Sequence, residues 1–163
     1  MSGPNIARAG LLLLASLCIP GSTAQAAAPS PFAAMAGSWS GGGVLNTADG
    51  AQERLRCRAS YDIGGTGAEL RLNLRCASES YNFDLASDVQ YRGGAISGSW
   101  NEASRNASGT LSGRAAGNRI EASARGQSFS ADLSLSTHGN RQTVSIRPVG
   151  TSITGVSLAL ARR

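Results

Sequence analysis

The sequence contains no lysine, one histidine, three cysteines and aromatic residues at only 5%. Each scarcity excludes something. A lone histidine cannot supply His-rich metal spacing, and it leaves a nucleophile–base–acid constellation short of material. Charged residues at 15% fall well below the usual ~25%, which excludes a coiled coil or a charged disordered tail. A length of 163 residues suits one domain and leaves no room for two sizeable cores. What is abundant is glycine, at 21 residues, and arginine, which supplies all 15 Lys/Arg positions and a net charge of +5.

Residues 1–26 read as a secretory signal peptide. Arg8 is their only charge and precedes the apolar run from Ala9 to Ile19. Pro20-Gly21 breaks the run, and Ala24 and Ala26 are the small residues a cleavage site needs at −3 and −1. Cleavage is expected after Ala26, with Ala28 as an alternative disfavoured by Pro29 at the following position. The run falls short of the roughly 20 residues a spanning helix requires. Ala15 and Leu17 do not match a lipid-anchor motif at Cys18, which is discarded with the peptide. Residues 27–36 then form a linker and a short helix, with Ser30 at the N-cap, Pro31 at the first helical position and Gly37 closing it. Residues 37–163 form one β-domain, with no further run able to cross a membrane as a helix. The expected location is the bacterial periplasm or the exterior.

Two cysteines remain. Arg54 to Tyr61 alternates, with Leu55, Cys57, Ala59 and Tyr61 on one face and Arg54, Arg56 and Arg58 on the other. Leu70, Leu72, Leu74 and Cys76 likewise share a face, and the stretch between, Asp62 to Gly67, is dense in turn residues. A hairpin centred on Thr66-Gly67 sets Cys57 directly opposite Cys76, where Cβ atoms lie roughly 4.5–5.5 Å apart. A disulfide is expected in an exported protein, contributing about 3 kcal/mol.

Turn signals recur down the chain, at residues 47–50, 64–65, 77–80, 92–94, 104–106, 116–118, 125–127, 138–140 and 148–150. Nine turns define about ten short strands, the pattern of an antiparallel sandwich or barrel. Period 2 turns inward Trp39, Leu45, Leu55, Leu72, Leu74, Tyr81, Phe83, Leu85, Val89, Ile96, Trp100 and Leu111. Further on it turns inward Ile120, Phe129, Leu133, Leu135, Val144, Ile146, Val156, Leu158 and Leu160. Outward positions are Ser, Thr, Arg and Asn, so the apolar face points in. The scarce aromatics and the basic C-terminus do not suit an outer-membrane barrel, which turns its apolar face outward between aromatic girdles. Gly41-Gly42-Gly43 lies inside a strand pattern and marks a sharp bend rather than a phosphate loop. The fold expected is all-β, a single antiparallel up-and-down barrel of about ten strands, thinly filled for its size and so flattened or hollow.

Gly37-Ser38-Trp39, just after the short helix, resembles the opening of the calycin superfamily of up-and-down barrels, in which the Trp packs across the closed end. The strand count resembles the fatty-acid-binding and nitrobindin-like barrels more than the eight-stranded lipocalins. The stretch Ile96 to Gly109, with its own Gly98-Ser99-Trp100, is similar to exported bacterial proteins of unassigned function. Ala36 to Trp39 followed by Cys57 and Cys76 also resembles small secreted inhibitors of bacterial metalloproteases. That resemblance implies a protease-binding N-terminal segment at residues 27–32, although that family is shorter and places its first cysteine nearer the Trp.

Catalytic constellations are weak. His138 sits in Thr137-His138-Gly139-Asn140, a turn, and a haem-ligand role like that of nitrobindin-like barrels finds no further support. Asp84 and Asp88 share a face with Asn82, opposite the apolar set, and read as solvated rather than as a glycosidase pair. No metal or cofactor is expected, and the chain is expected not to be an enzyme. The arginines are more informative. Arg54, Arg56, Arg58, Arg71 and Arg75 project from one hairpin face, with Arg58 facing Arg75, Asp62 facing Arg71 and Glu79 facing Arg54. Such a stripe suits an anionic envelope partner, but not nucleic acid, because no aromatic platform interleaves with it. The leading expectation is an exported binding protein carrying a small apolar or amphipathic molecule, with Trp39, Tyr61, Phe83, Trp100 and Phe129 lining the cavity. The alternatives are a protein-binding module such as a protease inhibitor, and an envelope-associated protein using the arginine stripe.

Overall fold

The computed structural model describes residues 29–163; the signal peptide expected at 1–26, with the Cys18 expected to be removed with it, lies outside them. Ten strands follow one another in the order β1 (Gly37–Thr47), β2 (Gln52–Ile63), β3 (Glu69–Ala77), β4 (Asn82–Arg92) and β5 (Ala95–Glu102). They continue with β6 (Ala107–Ala116), β7 (Arg119–Gly126), β8 (Ser130–His138), β9 (Arg141–Val149) and β10 (Ile153–Arg162). Every strand pairs antiparallel with its sequence neighbours, and β1 pairs with β10, so the sheet closes into an up-and-down barrel with no free edge.

Local chemistry sets the corners. All nine expected turn regions join strands, and the tightest use glycine where the backbone needs positive φ: Gly93 and Gly94, at 55° and 92°, make the two-residue connection between β4 and β5. Closure at β1–β10 depends on Gly41 and Gly43. A Cβ at either position would run into the backbone carbonyl of Ala159 or of Ser157 on β10. Cys57 and Cys76 are partners in the β2–β3 ladder and are joined at 2.05 Å, with Cα atoms 4.1 Å apart.

The expected short helix is shorter than an α-helix. Pro31–Met35 forms a 3-10 turn, with Ser30 Oγ accepting the Phe32 N–H at 3.2 Å. Five residues between a proline and a strand that begins at Gly37 (φ 105°) leave no length for α-helical hydrogen bonding. A second 3-10 turn, Ala103–Arg105, connects β5 to β6.

The first 3-10 turn lies at the end of the barrel where β1 starts and β10 finishes, here the plugged end. The opposite, far end is made by the hairpin turns β1–β2, β3–β4, β5–β6, β7–β8 and β9–β10. Among the described residues no helix is long and apolar enough to cross a membrane, and the outward positions of β2, Arg54, Arg56 and Arg58, are exposed. The disulfide and this polar exterior are compatible with an exported protein.

Candidate functional site: the barrel interior

The plugged end is densely packed. Phe32 and Met35 of the 3-10 turn are 1% and 3% exposed. Beneath them the Trp39 indole donates to the Met35 carbonyl at 2.8 Å, and its ring meets Tyr61 edge-on at 6.5 Å. Phe32 meets Tyr91 edge-on at 6.1 Å. Arg162, near the end of β10, lays its guanidinium over the Trp39 ring at 4.4 Å and donates to the carbonyls of Ala34 and Ala36. One side chain thereby clamps the first described segment to the last strand, with a cation–π contact on the order of 1 kcal/mol. The floor is polar at one point. The Tyr61 hydroxyl donates to Gln142 Oε1 at 2.7 Å, and Gln142 Nε2 donates to Thr137 Oγ1 at 3.2 Å. Burial pushes the Tyr61 phenol well above its ordinary range against the weaker opposing effect of Gln142, so it stays a neutral donor.

The interior wall opposite is different. The inward positions of β6 to β9 carry Leu111, Ile120, Leu133, Leu135, Val144 and Ile146, and every one is only half-buried. Between them stand very small residues. Leu111 is flanked in the ladder by Gly98 on β5 and Ala124 on β7, and Leu133 by Ala122. In a filled barrel, inward aliphatic side chains at mid-strand would lose nearly all of their accessible surface, as Leu55 and Leu158 do at 3% and 4%. Leu111, Ile120, Leu133, Leu135 and Val144 of the β6–β9 wall pack against the buried core without being fully enclosed by it.

The far end carries aromatic pairs. Trp100, inward on β5, lies against Phe129 at 5.2 Å between centroids and donates to the Thr110 carbonyl at 3.2 Å. Its ring occupies the space left by two glycines: a Cβ at Gly109 or Gly126 would come within 2.8 or 3.1 Å of Trp100 Cζ2. Tyr81 stacks on Phe83 at 6.3 Å, and Arg105 lies over the Phe83 ring at 4.7 Å. Val149, at the end of β9, is 66% exposed. Glu102 holds this rim together. Its carboxylate accepts the backbone N–H groups of Asp84 (2.8 Å), Ser104 (3.2 Å) and Arg105 (2.9 Å) and pairs with the Arg105 guanidinium at 3.5 Å. Burial raises its pKa, but those donors outweigh burial and leave it below the ordinary glutamate value.

The five aromatic residues expected to line a cavity are thus separated by the structure. Trp39 and Tyr61, 1% and 4% exposed, form the packed floor of the plugged end. Trp100, Phe129 and Phe83 stand at the far end. The small-residue wall at Gly98, Gly113, Ala122 and Ala124 was not singled out from the sequence, although its period-2 spacing opposite Ser and Arg was visible. The Arg162 clamp had no sequence signal, since it joins residues at the two ends of the described chain.

The arginine stripe is partly neutralised. Arg58 and Arg75 are ladder partners, as are Asp62 and Arg71. Arg71, however, pairs with Asp88 at 3.2 Å and Arg75 with Asp84 at 3.3 Å, both across to β4. Asp84 and Asp88 are therefore exterior ion-pair partners. Glu79 does not face Arg54: the β2–β3 ladder ends at Ala77, and the turn beyond is closed by Glu53, which accepts from Ser78 Oγ at 2.6 Å and the Ser80 N–H at 3.0 Å. Arg54, Arg56 and Arg58 are exposed and have no ion-pair partner among the described residues. His138 is exposed at the end of β8, against Asn118, and does not reach the interior. Of the segment at residues 27–32 expected to enter a protease, Pro31 and Phe32 are buried against the barrel.

No protein-family profile matches the sequence, and no protein of curated function matches it. Solved structures do resemble it. Rv2717c from M. tuberculosis superposes with a TM-score of 0.62 at 14% identity, over 80% of this chain and 93% of that one. The S-type phycobiliprotein lyase CPES from Guillardia theta superposes with a TM-score of 0.61 at 8% identity, over 81% of this chain and 90% of that one. The second likeness corrects the expectation that this chain is not an enzyme: a barrel of this shape belongs to a protein named a lyase, so the scaffold does not stand against catalysis. At these identities the likeness concerns the fold alone, which in this chain is a closed ten-stranded up-and-down barrel.

Proposed function

We propose that this protein is exported and holds a small apolar or amphipathic molecule inside the barrel, against the β6–β9 wall. The observation that carries the reading is that Leu111, Ile120, Leu133, Leu135, Val144 and Ile146 all point inward and all remain half-buried. Exposed apolar surface inside a sealed wall is what a ligand pocket supplies, and its burial drives binding. Trp100, Phe129 and Phe83 stand where such a molecule would enter from the far end, and the plugged end fixes the shape of the wall. The disulfide supports export, since such bonds persist in oxidising compartments.

Titration with a neutral fluorophore such as Nile red tests the pocket. Saturable 1:1 binding is expected, weakened at least about tenfold in Leu111→Trp, which fills the space, and unchanged in the exterior control Ser112→Trp. Absence of saturable binding, or equal loss in both variants, overturns the reading. Native mass spectrometry of protein purified from the periplasm would show the co-purifying molecule, and the N-terminus of that material is expected at Ala27.

A further inference from the structure

Resting on that reading, we infer that the interior selects uncharged molecules: a ligand's charged group, where it has one, stays outside the barrel. The inward positions of β6 to β9 hold only aliphatic and small side chains apart from Thr137 and Gln142. The arginines of these strands, Arg114, Arg119, Arg125, Arg141 and Arg147, are exposed on the exterior. No cation therefore stands ready inside for a carboxylate, sulfate or phosphate.

The few inward polar groups are already committed. Thr137, Gln142 and Tyr61 satisfy one another in the floor. Ser87 Oγ donates to the Ser99 carbonyl at 2.7 Å. Glu102 is saturated by three backbone N–H groups and Arg105. Among the described residues no buried side-chain nitrogen or oxygen lacks a partner. A pocket built to hold a buried charge would show the opposite, a donor or cation aimed into the space and unsatisfied until the ligand arrives. Bringing an ionised group here would forfeit its hydration with nothing in return. At the far-end rim Glu102 and Arg105 are already paired with each other, so neither is free to compensate a charged head group.

A matched set of ligands that differ only in their head group tests this: dodecanol, dodecanoate and dodecylammonium, each displacing the neutral fluorophore from the full-length exported protein. At pH 8 the alcohol is expected to displace at least about tenfold more tightly than either charged analogue. The apparent affinity for the acid should rise as pH falls toward the carboxylic-acid range and it becomes neutral, while that for the alcohol stays flat. Equal affinity of the alcohol and dodecanoate at pH 8, or a preference for the ammonium, overturns the inference and leaves the pocket standing. Failure of all three, with no fluorophore binding, overturns the pocket itself and the inference with it.

Discussion

Two walls of one barrel solve different problems. On β1 and β2 the inward residues Trp39, Leu45, Leu55, Cys57 and Tyr61 are at most 4% exposed. On β6 to β9 no large apolar side chain is fully buried; the buried apolar residues there are Ala115, Ala122, Ala124 and Ala131. Both walls alternate in and out with the same period, and both are stitched by continuous antiparallel ladders. The difference lies in side-chain volume and in what closes over it. The first wall has large residues, a disulfide, and a 3-10 turn clamped by Arg162. The second places leucines, isoleucines and Val144 between alanines and glycines, packed against the core but only half-buried. A sheet closed by its own hydrogen bonds tolerates a less enclosed side because the ladder holds those strands in place, while the other side supplies the most completely buried apolar residues.

The sharpest way to break this comparison is to truncate one residue in each wall. Trp39→Ala removes a ring buried under the plug, with its hydrogen bond to Met35 and its contact with Arg162, and should cost about 3–5 kcal/mol in urea unfolding. Leu133→Ala, on the β6–β9 wall, should cost no more than about 1–2 kcal/mol, because the side chain is only half-buried. Equal costs would mean that the β6–β9 wall is packed as well.

Adding volume inverts the test. Ala59, 5% exposed, pairs with Trp39 on one side and Leu74 on the other, so Ala59→Leu should overpack the filled wall by about 1–3 kcal/mol. Ala124 pairs with Leu111 and Ala131. If the proposed ligand lies beside it, Ala124→Leu should take up that space, cost less than about 1 kcal/mol, and weaken fluorophore binding. A large loss of stability in Ala124→Leu would show that the space is too small for a leucine and therefore for a ligand.

How much of this was legible in the sequence follows from the range of each interaction. The β2–β3 hairpin was readable to the register of Cys57 against Cys76, because alternation and the Gly-rich turn are local and the ladder propagates them. The turns and the strand count were readable for the same reason. The assignment of Tyr61 to the floor was not, and that of Trp39 came only from the resemblance of Gly37-Ser38-Trp39 to barrel openings, because period 2 gives the face a residue points to but not its height along the barrel axis. Arg162 over Trp39 and Tyr61 to Gln142 join residues that only closure brings together. The ion pairs of Arg71 and Arg75 were half-read: the hairpin pattern put them outside, but their partners came from β4, one strand beyond it. The Ala/Gly wall was present as pattern, yet small residues on a strand read equally as close packing or as empty space until the opposite wall is seen.

A further small effect concerns the seam between the two walls. Glu102 ends β5 and binds the backbone of Asp84 on β4 as well as that of Ser104 and Arg105 in the turn to β6. Burial alone would raise its pKa, but the donor hydrogen bonds to the ionised form outweigh burial and hold it below the ordinary glutamate value. A carboxyl group with a depressed folded-state pKa contributes stability that is fully present above its unfolded value and is lost as pH falls through the folded one. Glu102→Gln keeps an acceptor but loses the charge, so it should destabilise by about 1 kcal/mol at pH 7. The gap to the parent protein should close as pH drops below the ordinary glutamate range, because the parent loses the same charge there. Hydrogen exchange would localise the effect: the amides of Asp84, Ser104 and Arg105 should lose protection, while those of the plugged end keep theirs. A gap that stays constant with pH would mean that the rim is held by shape rather than by the carboxylate, and loss of protection at Trp39 as well would mean that the two walls unfold as one unit.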